Sequence, residues 1–322
     1  MDTTNSGPAT GAMLDVMAVA PGARRESRSG GRPPWMEKPH PAVVLGKGLL
    51  LFAIGLAMLF PFIYVISVSF SSYEDVVGGQ LVIFPRHPTL EAYETVLAGG
   101  VVTQALKVSI GLTAVGTIVN MVMTVTLAYA LSRPSVRGSR FVLFAVLFTF
   151  LIQPGIIPRF LVVKELGLLN TFAALILPGM ISAFNLVVVR NFFMSIPQDL
   201  LDSGRVDGAN DLRLLWDVVL PLSRAVLAVI ALFYGVALWN IFFDAVLYLN
   251  DTAKWPIQVI LNQYVVQGNP IAARPVGVGR PPAPPETIRM AVLVLATVPI
   301  LVIYPFLQRY FTRGVLTGAI KG

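Results

Sequence analysis

Six stretches of the chain carry no charged side chain: 48–73, 108–132, 141–158, 166–189, 225–243 and 290–308. Each is roughly 18–26 residues, the length at which an α-helix crosses a hydrocarbon core of about 30 Å. Polar and charged residues collect between these runs, in 74–107, 133–140, 190–224 and 250–289. Backbone groups inside a bilayer have no water to bond, so runs of this kind must close their hydrogen bonds internally as helices. The in–out alternation of a membrane barrel strand is absent. The pattern predicts an all-α membrane protein with six transmembrane helices. Residues 1–46, rich in Pro, Gly, Ser and Arg, cannot bury a core and are expected to form a disordered tail ahead of a membrane domain over 47–322. The apolar patch 13–20 is broken by Asp15 and lacks a basic leader, so it does not read as a signal peptide.

Composition agrees: 55% of residues are hydrophobic and 13% charged, with mean hydropathy +0.74. Lys and Arg then set the orientation. With the amino terminus inside, 16 of the 24 Lys and Arg fall in the inner segments. The remaining eight, Arg86, Lys107, Arg159, Lys164, Lys254, Arg274, Arg280 and Arg289, lie outside or at the outer interface. Both termini and the 190–224 loop are thereby expected in the cytoplasm. The net charge of +7 follows from this topology and from contact with lipid headgroups. Nucleic-acid binding is excluded, because no basic run is interleaved with aromatics in a folded segment.

Several chemistries are absent. There is no cysteine, hence no disulfide, thiolate metal site or thiol nucleophile. The two histidines, His40 and His87, sit beside prolines without partners at metal-ligand spacing. No phosphate-binding G-x-x-x-x-G-K-[ST] loop occurs, so ATP-driven work requires another polypeptide. Outside the membrane, 90–97 is expected to form a short interfacial helix. The 250–289 loop ends in a stiff proline cluster, 280–285.

The densest polar pattern lies in the loop of residues 195–222. Ser195-Ile-Pro-Gln-Asp199 carries a hydroxyl cap, an early proline and a first-turn acid, predicting a helix that runs to the Ser203–Gly204 step. Asp207-Gly208 is a turn signal, since glycine accepts positive φ. A second helix is expected from Asn210-Asp211, with Leu212, Leu215, Trp216 and Val219 on one apolar face and Pro221 kinking or ending it. A helix–turn–helix with small residues at its bend suits insertion into a cleft of a cytosolic partner.

At these residues the chain resembles the binding-protein-dependent ABC importer permeases. Their "EAA" coupling loop reads E-A-A, three residues, Gly, nine residues, Ile-x-Leu-Pro. Here Asp202, Ser203 and Gly204 stand for E-A-A, Gly208 for the glycine, and Val218, Leu220 and Pro221 for the end, with every spacing intact. Asp207-Gly208-Ala209 and Leu220-Pro221-Leu222 are similar to the carbohydrate-importer branch. The departures are Asp for Glu, Ser and Gly for the alanines, and Ala225 where a further proline is often found. Trp239-Asn-Ile-Phe-Phe-Asp244 resembles the fifth-span motif of the maltose-type second permease. The ending from Tyr304 to Gly322 resembles the subgroup that imports complex oligosaccharides, including uronate-containing fragments. The resemblance implies a non-catalytic permease subunit in the inner membrane, without a cofactor of its own. A homologous partner permease, two ATPase subunits that bind ATP and an extracytoplasmic solute-binding protein would complete the importer. It implies ATPase coupling through Asp202, Ser203, Gly204, Asp207, Gly208, Ala209, Leu220 and Pro221, and a second contact through Lys321 at the carboxyl end.

Asn120, Gln153, Asn185 and Asn240 lie inside the runs, and Asp244 near the outer end of the fifth. Intramembrane polar groups either join helices or line a water-filled path. Asn240 and Asp244 stand beside Trp239, whose ring either stacks on sugar faces or anchors the outer interface, and Asn185 is a further path candidate. Pro61, Pro154, Pro178, Pro299 and Pro305 either break spans in the manner of transporters or form ordinary kinks packed against neighbours, the favoured reading. An ion-coupled secondary carrier is the alternative, but it would need an acid within the uncharged runs. An intramembrane enzyme would need catalytic pairs there, and both histidines lie outside.

Overall fold

The computed structural model describes residues 41–78, 82–98, 100–152, 154–268 and 284–319, with the side chains of the last helix through Ile303. Among the described residues there is no β-strand, only an isolated bridge between Ser71 and Pro88. Helix α1 (Pro41–Ser69) starts inside the segment expected as tail, so 41–46 are helical; 1–40 lie outside the described residues. The segment after α1 folds as α2 (Tyr73–Val77) and α3 (Glu91–Ala98), the latter a short helix where one was expected. Asp75 ties the intervening loop, accepting from the His87 backbone N–H at 2.9 Å and meeting Nδ1 at 3.2 Å. The backbone donor is the main reason the Asp75 carboxyl is held below its ordinary range.

The long α4 (Val101–Ser132) extends the second uncharged run outward past Lys107. Three helices, α1, α4 and the described apolar part of α15 (Pro285–Ala319), are long and apolar enough to cross a membrane. Two bent pairs bring the number to five if each is one span.

The other expected spans are broken, each for a local reason. The run 141–158 holds α5 (Ser139–Leu151) and α6 (Ile156–Glu165), with Ile152 and Gly155 both extended between them. At 13 residues, α5 is only about 20 Å long by helix rise. The run 166–189 divides into α7 (Ala173–Ile176), continued by a 3₁₀ turn over Leu177–Gly179, and α8 (Ala183–Met194), bent by 54°. Pro178 lacks the N–H that would continue the ladder, and Ser182 is extended at φ −82°, ψ 125°. The hydroxyl of Ser182 then caps α8 by accepting from the Asn185 N–H at 3.4 Å.

Helix α9 (Gln198–Val206) is followed by α10 (Asp211–Leu214), a π-turn over Leu215–Val219 and α11 (Leu220–Leu222). An 86° bend at Ser223 leads into α12 (Arg224–Trp239). The chain continues through α13 (Phe243–Tyr248) and α14 (Ile257–Leu261). Pro61, Pro299 and Pro305 lie within continuous helices. Gln153 and most of the proline cluster lie outside the described residues.

Helices α4 and α12 pack closely at Gly116, where an added Cβ would lie 2.7 Å from Leu238 Cδ1 and 3.3 Å from Ile176 Cγ1. A small residue here leaves room for the Leu238 and Ile176 side chains against α4. The inner core joins Ala128, Leu186, Val189, Leu201, Leu215 and Ile230. An outer core packs Ala92 and Val96 of α3 against Ile288, Ala291 and Val292 of α15.

Candidate functional site

Two features are built from the chemistry-bearing residues: a helical hairpin over 198–222 and a polar cavity within the bundle. Ser195 does not start the first hairpin helix. It closes α8, donating its hydroxyl to the Phe192 carbonyl at 2.7 Å, and α9 begins after extended Pro197. Helix α9 also runs past the Ser203–Gly204 step to Val206. Gly204 is therefore a contact point inside the helix: a Cβ there would lie 2.6 Å from Leu214 Cδ2. Asp207 ends α9, and Gly208 adopts the left-handed φ of +81° expected of it. The Gly208 N–H donates to Arg205 O and the Ala209 N–H to Gly204 O, each at 3.0 Å, which is the paired pattern of a Schellman cap. Asn210 then caps α10, accepting from the Arg213 N–H at 2.8 Å.

The expected apolar face is split. Leu214, Leu215 and Val219 are buried, whereas Leu212 and Trp216 are 67% and 68% exposed. The wide turn at Leu215–Val219 changes the register, so the four residues do not share one face. Val206 is also open, at 87%. Charges around this apolar surface pair locally, Asp202 with Arg205 at 2.9 Å and Arg213 with Asp217 at 3.3 Å. Ser203 donates to Leu200 O at 3.0 Å. Pro221 continues the helix, and the sharp bend falls two residues later at Ser223, whose hydroxyl donates to Val219 O at 2.6 Å.

The hairpin is tied to the inner end of α4. The Tyr129 hydroxyl donates to the Asp211 carbonyl at 2.9 Å and accepts from Arg133, whose guanidinium lies 4.4 Å from the Tyr129 ring centre. Arg190 Nε donates to Leu131 O at 3.0 Å, joining α8 to the same end.

The cavity, of about 440 Å³, opens between α4, α6, the broken α7–α8 span and α12–α13. Asn120 in the middle of α4 is 3% exposed, and its Oδ1 has no hydrogen-bond partner. Tyr234 accepts from the Ser182 N–H at 3.0 Å and shares a 2.7 Å bond with Thr124, fixing the break beside the cavity. Asn185, in the first turn of α8, and Asp244 also line it. So does Arg159, paired with Asp244 at 3.1 Å.

Residues 113–317 match the binding-protein-dependent transport system inner membrane components. The chain belongs to this family. The match takes in both the hairpin and the cavity. YtcP of Bacillus subtilis, a polygalacturonan/rhamnogalacturonan transport system permease protein, is 46% identical over 276 residues, covering 85% of this chain and 96% of its own length. LplC of the same organism is 42% identical over 274 residues, covering 85% and 93%. A chain in the crystal structure of a bacterial ABC transporter, one involved in import of the acidic polysaccharide alginate, is 31% identical. It superposes with a TM-score of 0.78, covering 87% of this chain and all of its own.

In this inner-membrane component the structure separates the four path candidates. Asn185 and Asp244 face one cavity. Trp239 is 5% exposed, and its Nε1 donates to the Ala296 carbonyl of α15 at 3.2 Å, so its ring packs between helices. Asn240 is exposed but lies outside the cavity lining, donating to Val236 O at 2.9 Å and accepting from Gln258 at 3.4 Å. Lys321 lies outside the described residues. The sequence pattern places Arg159 among the eight Lys and Arg outside or at the outer interface and does not mark it as a cavity residue. The signal that could have found it is Asp244, an acid at the end of a span that calls for a nearby cation.

Proposed function

We propose that this permease is one of two homologous transmembrane subunits of an ATP-driven importer, carrying oligosaccharides delivered by an extracytoplasmic binding protein. Uronate-bearing oligosaccharides are the favoured cargo, in line with the polygalacturonan/rhamnogalacturonan permease and the alginate importer it is similar to. In this reading the chain crosses the membrane six times with both ends in the cytoplasm, α5 with the segment after it making the third crossing. The hairpin faces the cytoplasm and seats in an ATPase subunit, and ATP is bound there and not by this chain. Residues Gly318–Gly322, including Lys321, make a second ATPase contact.

The observation that carries the reading is the hairpin itself: a capped turn at Gly208 beside exposed Val206, Leu212 and Trp216. Large apolar side chains held outward by a rigid local fold mark a protein-docking surface. Trp216→Glu should leave the permease in the membrane but abolish co-purification of the ATPase in mild detergent, because aromatic anchors dominate interfaces of this kind. Retention of the ATPase at the wild-type level would overturn the docking role. A lone wild-type protein that drives uptake with a pH gradient would establish the ion-coupled carrier instead.

A further inference from the structure

The cavity contains an ion pair that packing alone does not require. Arg159 on α6 donates one N–H to Asp244 on α13 at 3.1 Å. A guanidinium has five such donors, so the pair leaves most of its capacity unused. The two side chains are 40% and 23% exposed, open to the cavity and not sealed in a core. Helices α6 and α13 already have an apolar contact, the Phe160 and Tyr248 rings stacking at 6.3 Å.

Other polar groups line the same cavity. Asn120 Oδ1 is buried without a partner, although such groups in native proteins nearly always have one. The amino end of α8, with Asn185 in its first turn, lines the same space, and its dipole favours negative charge. A cation and a helix amino terminus facing one cavity suit a molecule that carries a carboxylate.

We propose that Arg159 is a carboxylate subsite on the translocation path, and that Asp244 is its stand-in ligand when no cargo is present. A uronate carboxylate displaces Asp244 from the guanidinium. Exchange of one carboxylate for another avoids leaving the cation bare at any stage, the costly state for a charge away from bulk water. It also keeps binding weak enough for the sugar to move on. The inference rests on the oligosaccharide-import reading above.

The complete importer in liposomes, supplied with its binding protein and an oligogalacturonate, tests this through a cycle of variants. Arg159→Gln should lower uptake at limiting sugar by about tenfold, the effect of one lost charge-assisted hydrogen bond. Asp244→Asn, which removes the competing carboxylate, should lower the sugar concentration for half-maximal uptake several-fold while slower release lowers the maximal rate. The double variant R159Q/D244N, which leaves no charge unpaired, should stay as low as R159Q. A merely structural pair predicts the reverse: both single variants impaired and the double variant restored, which would overturn the proposal. ATPase retention in each variant reports that the complex is intact. A wild-type importer that moves only neutral oligosaccharides would also overturn it while leaving the permease reading in place. Import of no oligosaccharide at all would remove both.

Discussion

At the scale of single residues, the turn between α9 and α10 is decided by backbone geometry. Gly208 sits at φ +81° with nothing within 4 Å of an added Cβ, so space is not the constraint. Conformation is: the left-handed region costs an L-residue roughly 1–2 kcal/mol, and Asn tolerates it best. Gly208→Asn should therefore keep ATPase retention near the wild-type level, whereas Gly208→Val should lower it several-fold; equal behaviour of the two variants would detach the role from the turn. This residue and the Asn210 cap were legible in sequence because their signals are local. Trp239 was not, because its burial against Ala296 joins positions 57 residues apart. Arg159 and Asp244, 85 residues apart, were hidden for the same reason.

At the scale of elements, apolar run length announced the long helices well and the broken ones poorly. A run without charges reports that a segment prefers lipid or core, but not whether its hydrogen-bond ladder is continuous. The breaks at Ser182 and Gly155 come from extended backbone at a serine and a glycine that hydropathy does not register. Close helix approach is similarly invisible until the partner is known. Gly111 and Gly116 both lie on α4, yet only Gly116 meets another helix. Gly116→Val should crowd the Leu238 and Ile176 side chains and cost about 1–3 kcal/mol as overpacking. The thermal midpoint of the purified complex should fall for this variant and stay unchanged for Gly111→Val. A fall of equal size in both would mean that helix propensity, not the Leu238 contact, sets the effect.

At the scale of the whole molecule, the proposed orientation puts two surfaces on opposite sides of the membrane. Under that proposal the loop around His87, tied by Asp75, would face the side from which a binding protein arrives, and the hairpin with exposed Trp216 the side of the ATPase. The cavity with Arg159 and Asp244 then lies on the route between them, and the Tyr129 link from α4 to Asp211 joins the spans to the docking surface. The arrangement depends on the excess of Lys and Arg in the inner segments. The chain has no cysteine, so single cysteines can be placed without background. Leu90 is 57% exposed and Ser203 is exposed, so both positions are open to reagent. Leu90→Cys should react with an impermeant maleimide added to intact spheroplasts, and Ser203→Cys only after the membrane is opened. Labelling of Ser203→Cys in intact spheroplasts would invert the topology and place the hairpin out of reach of any ATPase.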